Sequence, residues 1–490
     1  MNKLLKLSLV SFVVLGVNLV TTLNSSAEVI STDDQVKQIR KTNNFTDNKD
    51  EAKKWSNNYY ETFNKFLTED QKDSIALIDD IEANSLWKGV DAKNFPSTPE
   101  DNDFAMYLND LDESLVNRSG ALIDDLVVYK TVDVPNYMKM STDYLFENST
   151  SVNSEHLDEL KNSWLGGYLP AYHVFDLTNN GRSTEVSNDE NMKIKMELTL
   201  PKRTNTGYVD ENRIFIDPSE QGFEVDKVSV IIEKNKKYIK VKGHLVQKEQ
   251  INKIIEEEED KANNVLNTFL NLPLDTKLVN FRFEGWTATF AARKARDEIT
   301  NYVNQEKMPD AVKKGLIRFM LADPNGTRGL IFTDKFFGYL GVDISHFTGE
   351  QDPNKPELNG LTFFTAQYPN KNYPNFVMQR VPVLGTMDNM GDALLDTLIH
   401  EMGHVFDYMS GEKYQSYVLQ NRDTFVKQYF NPEKGAISAY GQSHPMEFWA
   451  ELFKYKYSID KTTMAIYDNP ENFKETKQLF DKLLKSLGLI

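Results

Sequence analysis

The pattern of apolar and polar positions changes along this chain, near residue 246. Between residues 190 and 245, apolar residues alternate with polar ones, which is typical of strands with one buried face. After residue 246 they recur every three or four positions, which is typical of amphipathic helices. The pattern predicts strands at Leu126–Thr131, Met192–Leu200, Val228–Ile232, Tyr238–Leu245, Gly329–Asp334 and Asn375–Leu384. It predicts helices at Trp55–Phe66, Glu69–Ala83, Gln247–Leu270, Ala288–Gln305, Ala311–Leu321, Asp392–Met409, Pro445–Tyr457 and Pro470–Leu487.

These elements predict an α+β protein of two domains. Residues 28–245 combine helices with a substantial sheet, whereas residues 246–490 are mostly helical with a small sheet. At 490 residues the chain is long enough to form a hydrophobic core in each domain. We place the boundary where the helix Gln247–Leu270 begins, and we interpret its acidic run, Glu256–Asp260, as a solvated face.

The first 27 residues have the features of a secretory signal. Lys3 and Lys6 form a positive start, Leu7–Val20 is an apolar run, and Ser25–Ala27 offers small residues for cleavage before Glu28. An N-terminal anchor or a core helix is the alternative, but the run is too short to span a bilayer comfortably. Since no later apolar run reaches membrane-spanning length, we expect the mature chain to be secreted, extracellular and without a membrane span.

Composition narrows the classes of function. The net charge is −17, so we do not expect the chain to bind nucleic acid non-specifically. The chain contains no cysteine, so disulfides cannot stabilise an exported form, which must rely on the burial of apolar side chains. Hydrophobic residues make up 40% of the chain, which is sufficient for such cores.

The motif with the most specific chemistry is His400-Glu401-Met402-Gly403-His404. In a helix, two histidines four residues apart face the same way and can bind one Zn²⁺, with the glutamate beside it to take a proton from water. The alternative is a buried helix with two hydrogen-bonded histidines. A residue as small as Gly403 would let another segment approach this helix closely. The motif predicts metal-assisted hydrolysis, most often of a peptide bond.

A catalytic zinc needs a third protein ligand, and a second predicted helix offers one. Pro445 suits the start of that helix, and Glu447 and Glu451 then lie one turn apart on a shared face. Two carboxylates among aromatic residues are costly unless a cation holds them, so we expect Glu447 to be a ligand and Glu451 to support one. The alternative is an exposed helix whose acidic side chains contact water or Lys454.

Two residues just before this helix are further candidates. His444 competes with Glu447 as the third ligand, but it precedes a proline and is expected in a loop, so we rank it second. Tyr440 is a candidate electrophile, because a phenol can donate to a developing oxyanion. A tyrosine in a loop is more often a packing residue.

The segments H-E-M-G-H-V-F-D-Y and S-A-Y-G-Q-S-H-P-M-E-F-W-A-E together resemble the anthrax lethal-factor family of zinc metallopeptidases, which includes the Pro-Pro endopeptidases. The resemblance extends through Lys193–Val246 and onward in the same order to the C-terminus. It implies His400, His404 and Glu447 as zinc ligands, Glu401 as general base, Tyr440 as transition-state stabiliser and Glu451 as the residue that supports a ligand.

The resemblance also implies an ADP-ribosyltransferase-like fold for residues 28–245. The active site of that fold uses an arginine on an early strand, a Ser-Thr-Ser strand and a Glu-x-Glu turn. At those places this chain has Val128–Lys130, Asp176–Thr178 and Asp226–Val228, with Gly181–Thr184 as a rival placement of the second. All three elements depart from the pattern, so we expect the first domain to lack transferase activity.

The sequence therefore predicts a secreted zinc-dependent endopeptidase, a toxin or virulence factor, with Zn²⁺ as its cofactor and a protein or peptide as its substrate. An extended substrate could pair with a strand edge around Phe376–Val383. One alternative is an ADP-ribosyltransferase toxin. Another is a binding role for the first domain, either as an adaptor for a pore-forming translocation partner or as a wall of the substrate groove. The residues before the matched region are too few for the family's separate pore-docking domain together with a full transferase-like domain, and the family's helical substrate-recognition insert is not evident, so we do not expect the lethal-factor route of entry or its substrates to carry over.

Overall fold

The structure is a computed structural model and describes residues 41–79, 99–116, 120–133, 153–154, 157–158, 166–168, 173–179, 193–216, 221–233, 236–285, 288–322, 327–334, 360–363, 375–381, 390–411, 415–430, 441–458 and 474–490. The segment with signal features, residues 1–27, lies outside these ranges. Within them, no helix is both long and apolar enough to cross a bilayer.

The α+β class predicted from the sequence is confirmed, since the described residues form helices and two sheets. The strands are β1 Thr42–Asn43, β2 Asp125–Asp133, β3 Gly166–Tyr168, β4 His173–Asp176, β5 Lys193–Leu200, β6 Thr206–Asp210, β7 Arg213–Ile216, β8 Gln221–Glu233, β9 Lys236–Gln247, β10 Val279–Arg282, β11 Thr327–Thr333, β12 Gly360–Phe363 and β13 Asn375–Arg380. The helices are α1 Lys49–Tyr59, α2 Glu61–Phe66, α3 Glu69–Ala76, α4 Pro99–Val116, α5 Lys248–Leu270, α6 Ala288–Asn304, α7 Asp310–Leu321, α8 Met390–Ser410, α9 Tyr417–Gln420, α10 Arg422–Gln428, α11 Pro445–Tyr457 and α12 Lys474–Ser486.

The larger sheet has the strand order β3-β8-β9-β5-β2-β4-β7-β6, with β1 beside β2. Strand β5 pairs antiparallel with β2 and parallel with β9. Alternate residues of β5 from Ile194 to Leu200 are almost fully buried, whereas Glu197 on the opposite face forms ion pairs with Lys240 and Lys242. The alternation in the sequence therefore corresponds to one face on the core and one face of paired charges.

The single helix that the sequence predicts over Trp55–Phe66 is interrupted in the structure at Tyr60, so that prediction was wrong in this detail. The ring of Tyr60 is fully buried, and its hydroxyl lies 2.6 Å from Thr206 Oγ1. Tyr60 ends α1 and precedes α2. This contact joins residues far apart in sequence, and a local helical pattern does not reveal it.

The smaller sheet has the order β10-β11-β13-β12, and its first three strands run parallel. The sequence predicted a free edge around Phe376–Val383, and this is wrong for the described part of that segment. Strand β13 pairs on one side with β11 and on the other, antiparallel, with β12. Among the described strands of this sheet, β10 and β12 each have a single partner, so β12 is one of its two edges.

Two apolar cores form, and each takes one side chain from the other half of the sequence. Tyr168 of β3 lies in the core that the second half otherwise builds, and Phe290 of α6 lies in the core of the first half. Gly285 O accepts a hydrogen bond from Tyr168 N at 3.1 Å, and Gly166 O accepts one from Thr289 Oγ1 at 2.8 Å. These contacts join the two halves, and the domain boundary at 245/246 stays a prediction.

Phe290→Ala should destabilise both halves together, because Phe290 lies in the core of the first half while the rest of its helix packs in the core of the second. We expect the free energy of unfolding to fall by about 3–5 kcal/mol, because a buried phenylalanine leaves a cavity when it is truncated. The measurement is chemical unfolding followed by circular dichroism and tryptophan fluorescence. Leu274→Ala is the control, since Leu274 is 62% exposed and should change stability by less than about 0.5 kcal/mol. Two separate transitions, only one of which moves in Phe290→Ala, would contradict the coupling.

Candidate metal centre

Helix α8 carries His400 and His404 one turn apart, with their ring centroids 5.0 Å apart. Both residues are buried, as are Leu398 and Met402, which pack into the core. Because helical residues four apart share a face, both imidazoles face the same neighbour, helix α11. The geometry that the motif required of its two histidines is present.

Gly403 allows α11 to approach α8 closely. A Cβ at this position would lie 2.9 Å from Ala450 Cα and 2.9 Å from Phe453 Cβ, which is closer than real Cβ contacts come. The contact is to backbone as well as to a side chain, so a larger residue would push the two helices apart. This close approach brings the carboxylates of α11 to the histidines of α8.

Glu447 of α11 lies against both histidines. Its Oε2 is 3.1 Å from His400 Nε2 and 3.5 Å from His404 Nε2, and one ligand atom from each of the three residues lies within 4.8 Å of the others. A tetrahedral zinc with bonds of about 2.0–2.1 Å places neighbouring ligands about 3.3–3.4 Å apart. The spacing and the two-nitrogen, one-oxygen donor set therefore fit a zinc with one open coordination position.

Glu451 fixes the orientation of His400. Its Oε1 lies 2.8 Å from His400 Nδ1 and 2.8 Å from Lys454 Nζ, and its side chain is almost fully buried. When the ring is neutral and Nδ1 donates to this carboxylate, as metal binding requires, the Nε2 lone pair of His400 faces the cluster. The sequence left open whether these acidic side chains contact Lys454 or support the site, and Glu451 contacts both Lys454 and a histidine.

The electrostatics of the cluster are strongly coupled. Burial alone would lower the pKa of His400, but hydrogen bonds to Glu447 and Glu451 outweigh it and raise this pKa to about 10. Burial would raise the pKa of Glu447, yet the two histidines hold that pKa well below its usual value. For Glu451 the effect of burial is outweighed by His400 and Lys454, and its pKa falls to about 2. The carboxylates are thus ionised and suited to hold a cation.

Glu401, the residue between the histidines, faces the edge strand β12. It is buried, and its Oε2 accepts a hydrogen bond from Thr362 Oγ1 at 2.6 Å. Burial raises the pKa of its carboxyl, and the neighbouring histidines oppose that rise. A carboxylate whose proton affinity is raised in this way suits a group that takes a proton from water and gives it up again.

The other two candidates have different outcomes. His444 is exposed and caps α11, where its Nδ1 accepts a hydrogen bond from Met446 N at 3.2 Å. In the described part of the chain, the group of residues suited to a metal contains Glu447 and does not contain His444. Tyr440 lies outside the described residues.

Sequence reasoning did not find Thr362 or Gly360, and it named Lys454 only in the alternative of an exposed helix. Thr362 and Glu401 are 39 residues apart and share no motif, so only the position of β12 on α8 reveals the contact. Lys454 follows Glu451 by three residues, a spacing that brings two side chains together on a helix. This spacing could have predicted that Lys454 supports Glu451 at the site.

The described residues at the places of the three transferase active-site elements contact other residues of the first half. Lys130 is buried, and its Nζ donates to Val174 O at 2.9 Å. Burial raises the pKa of Asp176 to about 7 although Lys130 lies near it. Asp226 lies at the surface, 3.0 Å from His244 Nδ1. The rival segment Gly181–Thr184 lies outside the described residues.

The chain has a relative among curated proteins. It is 23% identical over 355 residues to the lethal factor of Bacillus anthracis, a match that covers 71% of this chain and 41% of that protein. The chain therefore spans less than half the length of this relative. No protein-family model matches the chain.

Several solved structures similar to this chain are ADP-ribosyltransferase toxins, and the sequence predicted a fold of that kind for residues 28–245. Plx2a from Paenibacillus larvae is 23% identical, with a TM-score of 0.32, over 41% of this chain and 98% of that one. The C3 exoenzyme of Clostridium limosum is 15% identical, with a TM-score of 0.32, over 41% of this chain and 96% of that one. The enzymatic component C2-I of the Clostridium botulinum C2 toxin is 14% identical, with a TM-score of 0.34, over 55% of this chain and 68% of that one. At these identities the likeness concerns the fold and not the reaction.

Glu451→Gln should weaken zinc binding. We expect a loss of about 10- to 100-fold in affinity, because an amide orients His400 less firmly than a carboxylate does. Competition with a chelator of known affinity measures it. Glu475→Gln, at an exposed position of α12, is the matched control and should leave the affinity unchanged. Equal affinity for the two variants would refute the supporting role of Glu451.

Gly403→Ala should reduce both stability and zinc affinity. Alanine improves helix propensity by about 1 kcal/mol, but forcing a methyl group against α11 typically costs about 1–3 kcal/mol. We therefore expect a net fall in the free energy of unfolding, with a weaker zinc site because Glu447 moves away from the histidines. Chemical unfolding and chelator competition measure the two effects. A variant more stable than the wild type would show that the helices are not in close contact at this glycine.

Proposed function

We propose that this protein is a zinc-dependent endopeptidase, secreted as a toxin-type protein, with His400, His404 and Glu447 as its zinc ligands. The single observation that carries the proposal is the convergence of these three side chains beside a buried glutamate, Glu401. The resemblance to the lethal factor of Bacillus anthracis supports it. The internal contacts of Lys130 offer no support to the rival activity, ADP-ribosyl transfer.

The chain's own groups have distinct roles in this chemistry. Zinc, when bound, supplies electrophilic stabilisation of a scissile carbonyl. Glu401 takes a proton from the attacking water and passes it to the leaving amine. Glu451 keeps the His400 ring in place through Nδ1. Tyr440 is proposed, from the resemblance alone, as the donor to the developing oxyanion.

The edge strand β12 offers a place for an extended substrate. Its residues Gly360 and Thr362 approach Glu401, so a peptide paired with β12 would pass beside the base. Strand addition of this kind uses backbone hydrogen bonds for affinity and alternate side chains for specificity. We propose β12, in place of the segment Phe376–Val383, as the strand that the substrate joins.

Peptide-library profiling of the purified chain with zinc tests the proposal. We expect cleavage by the wild type and a loss of at least about 100-fold in kcat for Glu401→Gln, because the amide cannot accept the proton of water. Glu257→Gln, at an exposed position of α5, is the matched control and should cleave as the wild type does.

Two outcomes of that experiment would count against the proposal. Cleavage by Glu401→Gln at the rate of the wild type, with zinc content equal, would show that the base is another group. No cleavage by any form, together with hydrolysis of NAD, would favour the transferase alternative. Assays with and without a pore-forming partner on cells would separately test translocation.

A further inference from the structure

One hydroxyl group holds the carboxylate of Glu401. Thr362 Oγ1 lies 2.6 Å from Glu401 Oε2 and 3.1 Å from Glu401 O, and both residues are buried. A hydroxyl carries one proton and donates it to one acceptor at a time. The contact with Oε2 is much the shorter of the two, so it is the one that fixes the side chain.

Gly360 limits the same carboxylate from a second direction. Residues two apart on a strand point to the same face, so Gly360 and Thr362 both lie on the side of β12 that faces α8. A Cβ at Gly360 would lie 2.1 Å from Glu401 Oε1, a separation that no real structure tolerates. Oε2 of Glu401 thus accepts a hydrogen bond from Thr362, and Oε1 occupies the space where a side chain at Gly360 would begin.

The strand that makes these contacts is itself anchored. Thr362 pairs with Val377 of β13, and Gly360 pairs with Gln379. The buried side chain of Gln379 donates from Nε2 to Leu394 O of α8 at 2.8 Å. The small sheet and helix α8 are therefore joined both at Leu394 and at Glu401. These two contacts fix the position of Thr362 relative to the histidines.

We propose that Thr362 is the positioning residue of Glu401, with Gly360 as the residue that makes room for the carboxylate. The kinetic part of this inference rests on the proposed peptidase function, whereas the contact itself does not. Because β12 is also the strand that a substrate would join, one element sets the position of both the base and the peptide. A general base works only when it lies within hydrogen-bond reach of its proton, so this shared support matters for the rate.

The kinetic test compares Thr362→Val, which removes the hydroxyl and keeps the shape, with Thr362→Ser, which keeps the hydroxyl. We expect Thr362→Val to lower kcat by about 10- to 100-fold with little change in KM, and Thr362→Ser to retain most of kcat. Zinc content should be equal in all forms. Equal kcat for the two variants would overturn the proposal, and so would a loss of bound zinc in Thr362→Val, since either shows that the hydroxyl does not act through Glu401.

A second test needs neither zinc nor a substrate. Chelated wild type, Thr362→Val, Glu401→Gln and the double variant form a cycle of unfolding midpoints. We expect the shifts of the two single variants to be non-additive, because Thr362→Val removes the donor of the contact and Glu401→Gln replaces its charged acceptor with a weaker, neutral one. Additive shifts would overturn the proposal. A chain that cleaves no peptide but shows non-additive shifts would refute the peptidase function while keeping the Thr362–Glu401 contact.

Gly360→Ala provides a variant that does not touch the hydroxyl. Its added methyl group should displace Glu401, and we expect a fall in kcat of about 10-fold or more with zinc retained. If Thr362→Val fails to fold, this variant decides the kinetic question. Wild-type kcat in Gly360→Ala would show that Glu401 does not lie against β12.

Discussion

Burial of negative charge between α8 and α11 is the constraint on which the second half of the structure depends. Three glutamates, Glu401, Glu447 and Glu451, lie there with one ammonium group, that of Lys454. Three carboxylates and one ammonium leave two negative charges when the histidines are neutral. Buried charge without compensation costs several kcal/mol for each ion, so the site must gain positive charge. Either His400, His404 or Glu401 binds a proton, as the raised pKa values of these three residues indicate, or a divalent cation supplies the positive charge.

The same constraint explains why glycines occur where α11 approaches α8 and where β12 approaches Glu401. Gly403 lets α11 lie against α8, and Gly360 lets β12 lie against Glu401. A methyl group at Gly403 would collide with α11, the helix that carries Glu447 and Glu451, and a methyl group at Gly360 would collide with the carboxylate of Glu401. Shorter distances strengthen the pairing of charges in a buried site, and the cost in helix propensity at Gly403, about 1 kcal/mol, is small beside it.

The local sequence pattern was sufficient to predict the two helices that carry the cluster. It was not sufficient to predict the strand that packs against them or the contacts between these elements. The four-residue spacing of His400 and His404 and the same spacing of Glu447 and Glu451 follow from helical geometry, which a sequence displays directly. The edge of the small sheet does not follow, because a strand's position depends on its neighbours and the apolar pattern predicted no strand at Gly360–Phe363. The contact of Thr362 with Glu401 required that position first. The bend at Tyr60 was missed for the same reason, since its partner is Thr206.

The contacts between the two halves bear on what the first half does. An adaptor that merely carries the peptidase would need few contacts with it, and could be removed. Here the first half supplies Tyr168 to the second core, while α6 returns Phe290 and also packs against α8, the helix of the two histidines. The first half therefore reaches the candidate metal centre through one intervening helix. Interior packing transmits small displacements, so a change in the first half would alter the position of α8. These contacts favour a first half that is structurally coupled to the second over a separable adaptor.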